Sequence, residues 1–562
     1  MMKKHNYIIL ASMVFSILAI TGCKKYDNPP PVYEDLKLIS NVQRKVLVIS
    51  IDGVTGSELK TIAPTNITEL QKTSKYSFNV IRSGLGNDVS SWVTMATGVG
   101  HAKHSIGTAN FEKIIDPNAN QHGETKSYRN VLDYITQYKA TKTAIITPWD
   151  NLRKYLINGD FTPVVSTDIA VKDSTINIIT KQDNIGAVMV NFRDVETAGY
   201  NGGFVATNVN YKNAIVKADE YVGNIITALK TRKNYANEDW LVIVTTNHGG
   251  SDTNPKEGFL IASNKNLKEQ EVKKSGFNTI LFTGANILAS VPNDNGLYDP
   301  GETKDFTVQM QVKFNVQTQY PGFISKGTSM IGSAITGWMF RQGNAGVSAA
   351  VGGTLNGGGG KTEYGGGNAA DFSWHTITLS VKMVNVTTRT LTTYLDGVQV
   401  TTANIQSKRN LSTTEKLTIG YKNVDNGGTG LSFQAADLCY FNTALDAATI
   451  LANKGLKDIT KHPNYANLIG YWPIDEGAEG TVGNKAPGGY DMVLSGAYTW
   501  KSMGADVPAS VTPDPNASGK SIILTPASVS ATMLYWMNVK ILPEFGIDGN
   551  PFLNQFEIEF LK

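Results

Sequence analysis

Cysteine is nearly missing: Cys23 and Cys439 are the only two in 562 residues, which excludes a disulfide framework. Net charge is missing too. With 51 Lys and Arg against 48 Asp and Glu, the formal charge is +3, so no nucleic-acid or acidic-polymer partner is implied. The apolar run from Tyr7 to Ile20 is too short to span a bilayer comfortably. Glycine is plentiful, with 54 residues, as β-rich domains with many turns need. The length allows two or three domains, each with a full core.

The first residues read as a targeting segment. Lys3, Lys4 and His5 form a basic n-region ahead of the apolar run, which ends in Ile20-Thr21-Gly22-Cys23. That ending resembles the bacterial lipobox, in which small residues admit the peptidase and the cysteine becomes the lipidated N-terminus. The alternative is an ordinary signal peptide with an incidental cysteine. Acyl chains add about 0.8 kcal/mol per buried CH₂, so several of them on Cys23 hold firmly. Residues 1–22 are then the signal peptide and 23–44 a stiff Pro-rich tether. The expected location is the cell envelope, lipid-anchored, at the outer membrane of a Gram-negative bacterium.

From residue 45 to 292 strand and helix alternate. "KVLVISIDG" is a continuous apolar run ending in Asp52, as a parallel strand buried on both faces requires. Further strands are expected at Thr143 to Thr147, Ile185 to Val190, Trp240 to Thr246 and Thr279 to Thr283. The helical stretch "NAIVKADEYVGNIITALK" separates two of them. This predicts an α/β doubly wound core, with functional residues at the carboxyl ends of strands. Asp52, Glu196 and Asn247-His248 fall just past such ends.

"VLVISIDG", "WVTMATGVGHAKHSIG", "FRDVETAGYNGG", "WLVIVTTNHGG" and "FNTILFTGANI" occur in one order along the chain. Together they resemble the alkaline phosphatase superfamily, in its type I phosphodiesterase/nucleotide pyrophosphatase branch. The resemblance implies two divalent metals flanking a Ser or Thr nucleophile at a helix N-terminus. Two cations neutralise the phosphate, lower the hydroxyl pKa and stabilise the leaving oxygen. Carried over by position, Asp52 matches an intact metal ligand, whereas the nucleophile position is Asp88. Glu196 stands where the family has Asp, Tyr200 at a lost His ligand position, and Asn247 replaces Asp beside His248. A further His expected before "FNTILFTG" is missing.

These replacements imply at most one divalent cation, Mg²⁺ or Ca²⁺ and less readily Zn²⁺, held by Asp52, His248 and Asp88 with neutral Asn247 beside them. Glu196 is a remnant ligand that could still bind, although its extra methylene moves the carboxylate by more than metal–oxygen tolerance allows without backbone adjustment. Tyr200 is a poor ligand, since a phenol titrates near ~10. Asp88 has three readings: a cap for a helix starting near Val89, a metal ligand, or an aspartyl nucleophile. Ser90 is turned about 200° away along the helix. His101 and His104 are the nearest other histidines, and His104 reads as structural.

After residue 290 the pattern changes to period two with Gly/Asn turns, as in "FTVQMQVKF". Together with "WHTITLSVKMVNVTTRTLTTYLDGVQV" it resembles a LamG-like, concanavalin-type jelly roll over residues 293–505. Trp338, Tyr364 and Trp374 are candidate glycan-stacking residues, with core packing as the alternative. Residues 506–520 read as a linker. Residues 521–562 resemble the segment that closes the phosphodiesterase core, making the jelly roll an insertion. The expected function is an envelope lipoprotein with a non-catalytic phosphodiesterase-like core and a glycan- or protein-binding jelly roll. The alternative is an active metal-dependent phosphodiesterase, phosphatase or sulfatase-type hydrolase.

Overall fold

The computed structural model describes residues 42–114, 127–274, 276–329, 331, 335–353, 360–422, 430–514 and 522–561. The signal peptide, most of the tether and Cys23 lie outside the described residues.

The core is built on the strands β1 (Gln43–Ile51), β2 (Ser74–Val80), β3 (Lys142–Ile146), β4 (Ile185–Phe192) and β5 (Glu238–Thr245). Two more, Gly258–Ser263 and Gln270–Glu271, complete a seven-stranded sheet. Its order is β3-β4-β1-β5, then Gly258–Ser263, β2 and Gln270–Glu271. β1 lies between β4 and β5, parallel to both, while Gly258–Ser263 runs antiparallel to β5 and β2.

Alternation along β1 sends its side chains to two cores. Val46 and Val48 join Trp92, Val93 and Ala96 on one face, with Val529, Met533 and Trp536 of the closing segment. Leu47, Ile49 and Ile51 join Tyr211, Ile215, Val222 and Ile225 of the helix Val209–Lys230 on the other. Every residue of β4 and β5 is buried, as a sheet covered on both faces demands.

The second unit is an antiparallel sandwich of two eight-stranded sheets. Its interior is aromatic: Phe282 stacks on Phe433 at 4.9 Å, and Trp338 and Trp472 are fully enclosed. One expectation fails here. The strand foreseen at Thr279 to Thr283 as part of the α/β core is Phe277–Thr283, and it pairs with Ser432–Phe441 and Trp500–Met503 of the sandwich. Ile280 and Phe282 are buried in the sandwich interior. The chain therefore enters the sandwich before residue 292. A short apolar run fits either environment, and only its pairing partners decide between them.

The two units meet through charges and a half-buried acid. Arg82 pairs with Asp491 at 2.8 Å and Lys485 with Glu257 at 3.1 Å. Thr481 donates its hydroxyl to the Gly84 carbonyl. Glu479 lies beside Gly100 and Asp548 of the core; burial, then the Asp548 charge, push its pKa up to about 8. The native state thus holds this proton more tightly than the unfolded chain does. Stability must fall as pH rises from about 4.5 toward 8, and Glu476, raised to about 7, adds the same sign. Urea unfolding across this window should show that decline, and Glu479→Gln should flatten it. A Glu479→Gln profile as steep as wild type would contradict the assignment.

Candidate functional site

The site forms where β1, β4 and β5 end. Asp52 follows β1 and is completely buried. Its Oδ1 accepts from Ser50 Oγ at 2.6 Å, and its Oδ2 accepts from Trp92 Nε1 at 2.9 Å and Asn191 Nδ2 at 2.7 Å. The Asn191 orientation is fixed because Thr147 Oγ1 donates to its Oδ1. Gly53 follows with φ +78°, and a Cβ there would stand 2.8 Å from the Glu196 Cα. Glycine at this position therefore lets the helix Asp194–Tyr200 lie against the end of β1. Asp168 pins the start of that helix, its carboxylate accepting from the backbone N–H of Arg193 and Asp194.

Asp88 is the first residue of the helix Asp88–Thr97 and does not cap it. The cap is Asn87, whose Oδ1 accepts from Ser90 N at 2.8 Å. The Asp88 carboxylate is consequently free to face the site, and both its oxygens are taken there. Oδ1 accepts from Asn247 Nδ2 at 2.6 Å and lies 3.1 Å from His248 Nε2; Oδ2 accepts from Arg193 Nη2 at 2.5 Å. The Asn247 amide is oriented by its own Oδ1, which accepts from His248 N. Ser90 turns to His101 Nδ1 at 3.0 Å, and His104 is buried against Thr94, so neither enters the site.

Arg193 was not anticipated from the sequence. Its Nη2 reaches Asp88 and Glu196, each at 2.5 Å, while Nη1 is 3.7 Å from Asp52 Oδ2. The guanidinium lies over the Trp149 ring at 4.4 Å. One fixed cation thus serves three carboxylates. Asp252 was missed as well: its Oδ1 accepts from the Asp88 backbone N–H at 2.7 Å and is 3.3 Å from His248 Nε2. Tyr200, the lost ligand position, is half-exposed and its hydroxyl accepts from Asp252 N at 3.2 Å.

The charges are mutually adjusted. Burial alone would raise the Asp88 pKa, but the His248 hydrogen bond and the Arg193 charge hold it well below the usual carboxylate range. Burial, then the Asp88 charge, push Glu196 up to about 9, so it carries a proton at neutral pH. Burial would lower the His248 pKa, yet its bonds to Asp252 and Asp88 push it up to about 10. His248 is therefore an imidazolium, its Nδ1–H turned to the Gly249 carbonyl and its Nε2–H to the carboxylates.

Ligand atoms of Asp88, Glu196, His248 and Asp252 all lie within 4.8 Å of one another, a cluster able to hold one metal ion. Glu196 reaches the cluster despite its extra methylene. One expectation needs correction: Asp52 lies outside the cluster, committed to Ser50, Trp92 and Asn191. With His248 deprotonated at Nε2, three carboxylates and an imidazole suit one hard or borderline cation. A second ion fits poorly, because a guanidinium already stands among Asp52, Asp88 and Glu196.

The glycan-stacking candidates are not presented to a ligand as a group. Trp338 is wholly buried, Trp374 packs edge-on against Phe277 at 6.0 Å, and Tyr364 is half-buried against the sandwich interior.

Residues 46–313 match the type I phosphodiesterase/nucleotide pyrophosphatase family, and residues 284–451 match the concanavalin A-like lectin/glucanase superfamily. The chain joins an alkaline phosphatase-like phosphodiesterase core to a concanavalin A-like domain. The two matches overlap at residues 284–313, where strand pairing assigns the segment to the sandwich. Similar solved structures include murine ectonucleotide pyrophosphatase/phosphodiesterase 5, at 18% identity and a TM-score of 0.31 over 36% of this chain and 57% of that one. A putative sulfatase from Bacteroides thetaiotaomicron is 10% identical, with a TM-score of 0.31 over 40% of this chain and 65% of that one. The botulinum neurotoxin serotype G binding domain is 13% identical, with a TM-score of 0.23 over 33% of this chain and 47% of that one. The chain thus spans less than two thirds of each. No curated protein matches the sequence.

The phosphodiesterase-like core should depend on Arg193. Arg193→Met leaves buried carboxylates without their counter-charge and should cost about 3 kcal/mol in metal-free buffer. Added Mg²⁺ or Mn²⁺ should recover part of this by binding the native state. An unchanged thermal midpoint in the variant would mean that the guanidinium does not hold the site together.

Proposed function

We propose that this protein is an envelope lipoprotein whose phosphodiesterase-like core does not hydrolyse its ligand and whose sandwich domain binds glycan or envelope protein. The observation that carries the reading is the state of Asp88. A nucleophile needs a free electron pair aimed at the substrate and cations to steady the leaving group. Asp88 occupies the nucleophile's position with both oxygens engaged, by Asn247 and His248 on one side and Arg193 on the other.

The replacements also compensate one another. Set against the resembled family, position 88 gains a carboxylate and position 247 loses one, so the anionic count is kept while the hydroxyl is gone. Arg193 supplies a permanent positive charge among acids that would otherwise need a metal. At most one divalent cation then binds, held by Asp88, Glu196, His248 and Asp252; Mg²⁺ and Ca²⁺ fit the oxygen-rich donors best. The basic n-region, the apolar run and Cys23 support lipid anchoring in the envelope.

The four-residue cluster favours a second reading, a one-metal hydrolase of phosphate or sulfate esters. Aryl phosphodiester, phosphomonoester and sulfate substrates, assayed with Mg²⁺, Ca²⁺, Mn²⁺ and Zn²⁺ in turn, separate the two. No turnover above background is expected from the wild type or from Asp88→Thr alone. Adding Asn247→Asp and Tyr200→His to Asp88→Thr rebuilds ligands together, and any activity should emerge non-additively. Wild-type turnover abolished by Asp88→Ala would overturn the non-hydrolytic reading.

A further inference from the structure

Between the phosphodiesterase-like core and the sandwich lies a cleft of about 280 Å³, adjoining a second cavity of about 330 Å³ that shares Glu257, Glu476 and Lys485. Three cations converge on the first cleft: Arg82 and Lys256 from the core, Lys485 from the sandwich. Two of them are matched by acids. Arg82 Nη2 pairs with Asp491, and Lys485 pairs with Glu257. Lys256, exposed at the rim, makes no ion pair or hydrogen bond among the described residues.

Further donors are unused. The Arg82 side chain is only 11% exposed, and among the described residues its guanidinium donates through Nη2 alone. Thr55 precedes the helix Gly56–Ile62, but its hydroxyl does not cap that helix and has no partner, although the residue is only 8% exposed. The third acid is not a full counter-charge. Glu476 Oε1 accepts from Gly483 N, while Oε2 is buried without a partner. Burial, then the Asp475 charge, push its pKa up to about 7, which weakens it as a counter-charge. Desolvation lowers the Lys256 pKa, with the Asp491 and Glu257 charges opposing this and the Lys485 and Arg82 charges adding to it.

A surplus cation, spare guanidinium N–H groups and an idle hydroxyl have one common complement, an oxygen-bearing anion. We propose that this cleft is an oxyanion site for a small ligand carrying a carboxylate, sulfate or phosphate group, with Lys256 and Arg82 as the charged donors. The volume suits a free oxyanion or an anionic group borne on a single sugar, and a junction between domains is where such sites tend to form. The Pro255-Lys256 wall belongs to the same hairpin as Asp252, Gly249–Ser251 with Asn254–Lys256. The proposal is independent of whether the Asp88 cluster hydrolyses anything.

Calorimetric titration of the full chain at fixed ionic strength tests it. The probes are sodium sulfate, glucuronate and N-acetylglucosamine 6-sulfate, with glucose and N-acetylglucosamine as neutral controls. The anionic probes should bind at millimolar affinity or better, weaken with added salt, and leave the neutral sugars behind. Lys256→Ala should weaken binding about tenfold, the loss of one charge-assisted contact, and Lys256→Glu should abolish it. Lys256→Arg should retain it, with thermal unfolding unchanged in all three because the side chain is exposed. Tighter binding of the sulfated sugar than of sulfate would assign the ligand as an anionic sugar; equal binding would assign it as the free ion. Saturation by no anionic probe, equal binding of glucose, or unaltered binding in Lys256→Glu would overturn the proposal.

Discussion

One guanidinium holds the functional end of the core together. Arg193 touches Asp88 and Glu196 and stands 3.7 Å from Asp52, carboxylates contributed by three separate segments of the chain. Like charges so close in a buried setting cannot all ionise without a cation between them. Here the cation is covalently part of the chain. Its position is fixed by the backbone beneath it, where Asp168 binds the Arg193 N–H, and by the Trp149 ring at its side. The remaining strain is relieved by a proton on Glu196 and by the positive charge on His248.

That arrangement changes what the phosphodiesterase-like core can do. A divalent ion exchanges ligands, accepts a substrate oxygen and leaves; a guanidinium donates hydrogen bonds in fixed directions and has no open coordination position. It can orient or bind an anion but cannot ionise a hydroxyl. The cluster able to hold an ion, Asp88 with Glu196, His248 and Asp252, draws on residues that Arg193 also uses, so an ion there would compete with the guanidinium for the same oxygens. The hairpin carrying Asp252 also contributes Pro255 and Lys256 to the wall of the cleft toward the sandwich.

Much of this was legible in the sequence, and the failures have physical causes. β1, β4 and β5 were readable because strands covered on both faces are continuous apolar runs, and their carboxyl ends located Asp52, Glu196 and Asn247-His248. Position 88 was assigned by the family resemblance, carried over by position. Phe277–Thr283 was misplaced because its seven residues would suit either sheet, and only pairing with Ser432–Phe441 decides. Asp88 was open to a capping reading because Asn87 and Asp88 are both good caps, and the sequence does not say whether the carboxamide or the carboxylate turns toward the site. Arg193 and Asp252 carried no motif. A faint signal existed in "FRDVETAGY", where an arginine directly precedes an acidic site segment that has lost its histidine. Trp338 is interior, the core-packing alternative, as an aromatic in a β-rich module more often is.

The central claim is that a single metal position remains and that Arg193 fills the space of the other. Crystals soaked in Zn²⁺ or Mn²⁺ and measured at the metal absorption edge test it most directly. The account predicts one anomalous peak, bounded by Asp88, Glu196, His248 and Asp252, with the Arg193 guanidinium still facing Asp52. Two peaks about 3.5–4 Å apart, with Arg193 displaced toward solvent, would contradict it.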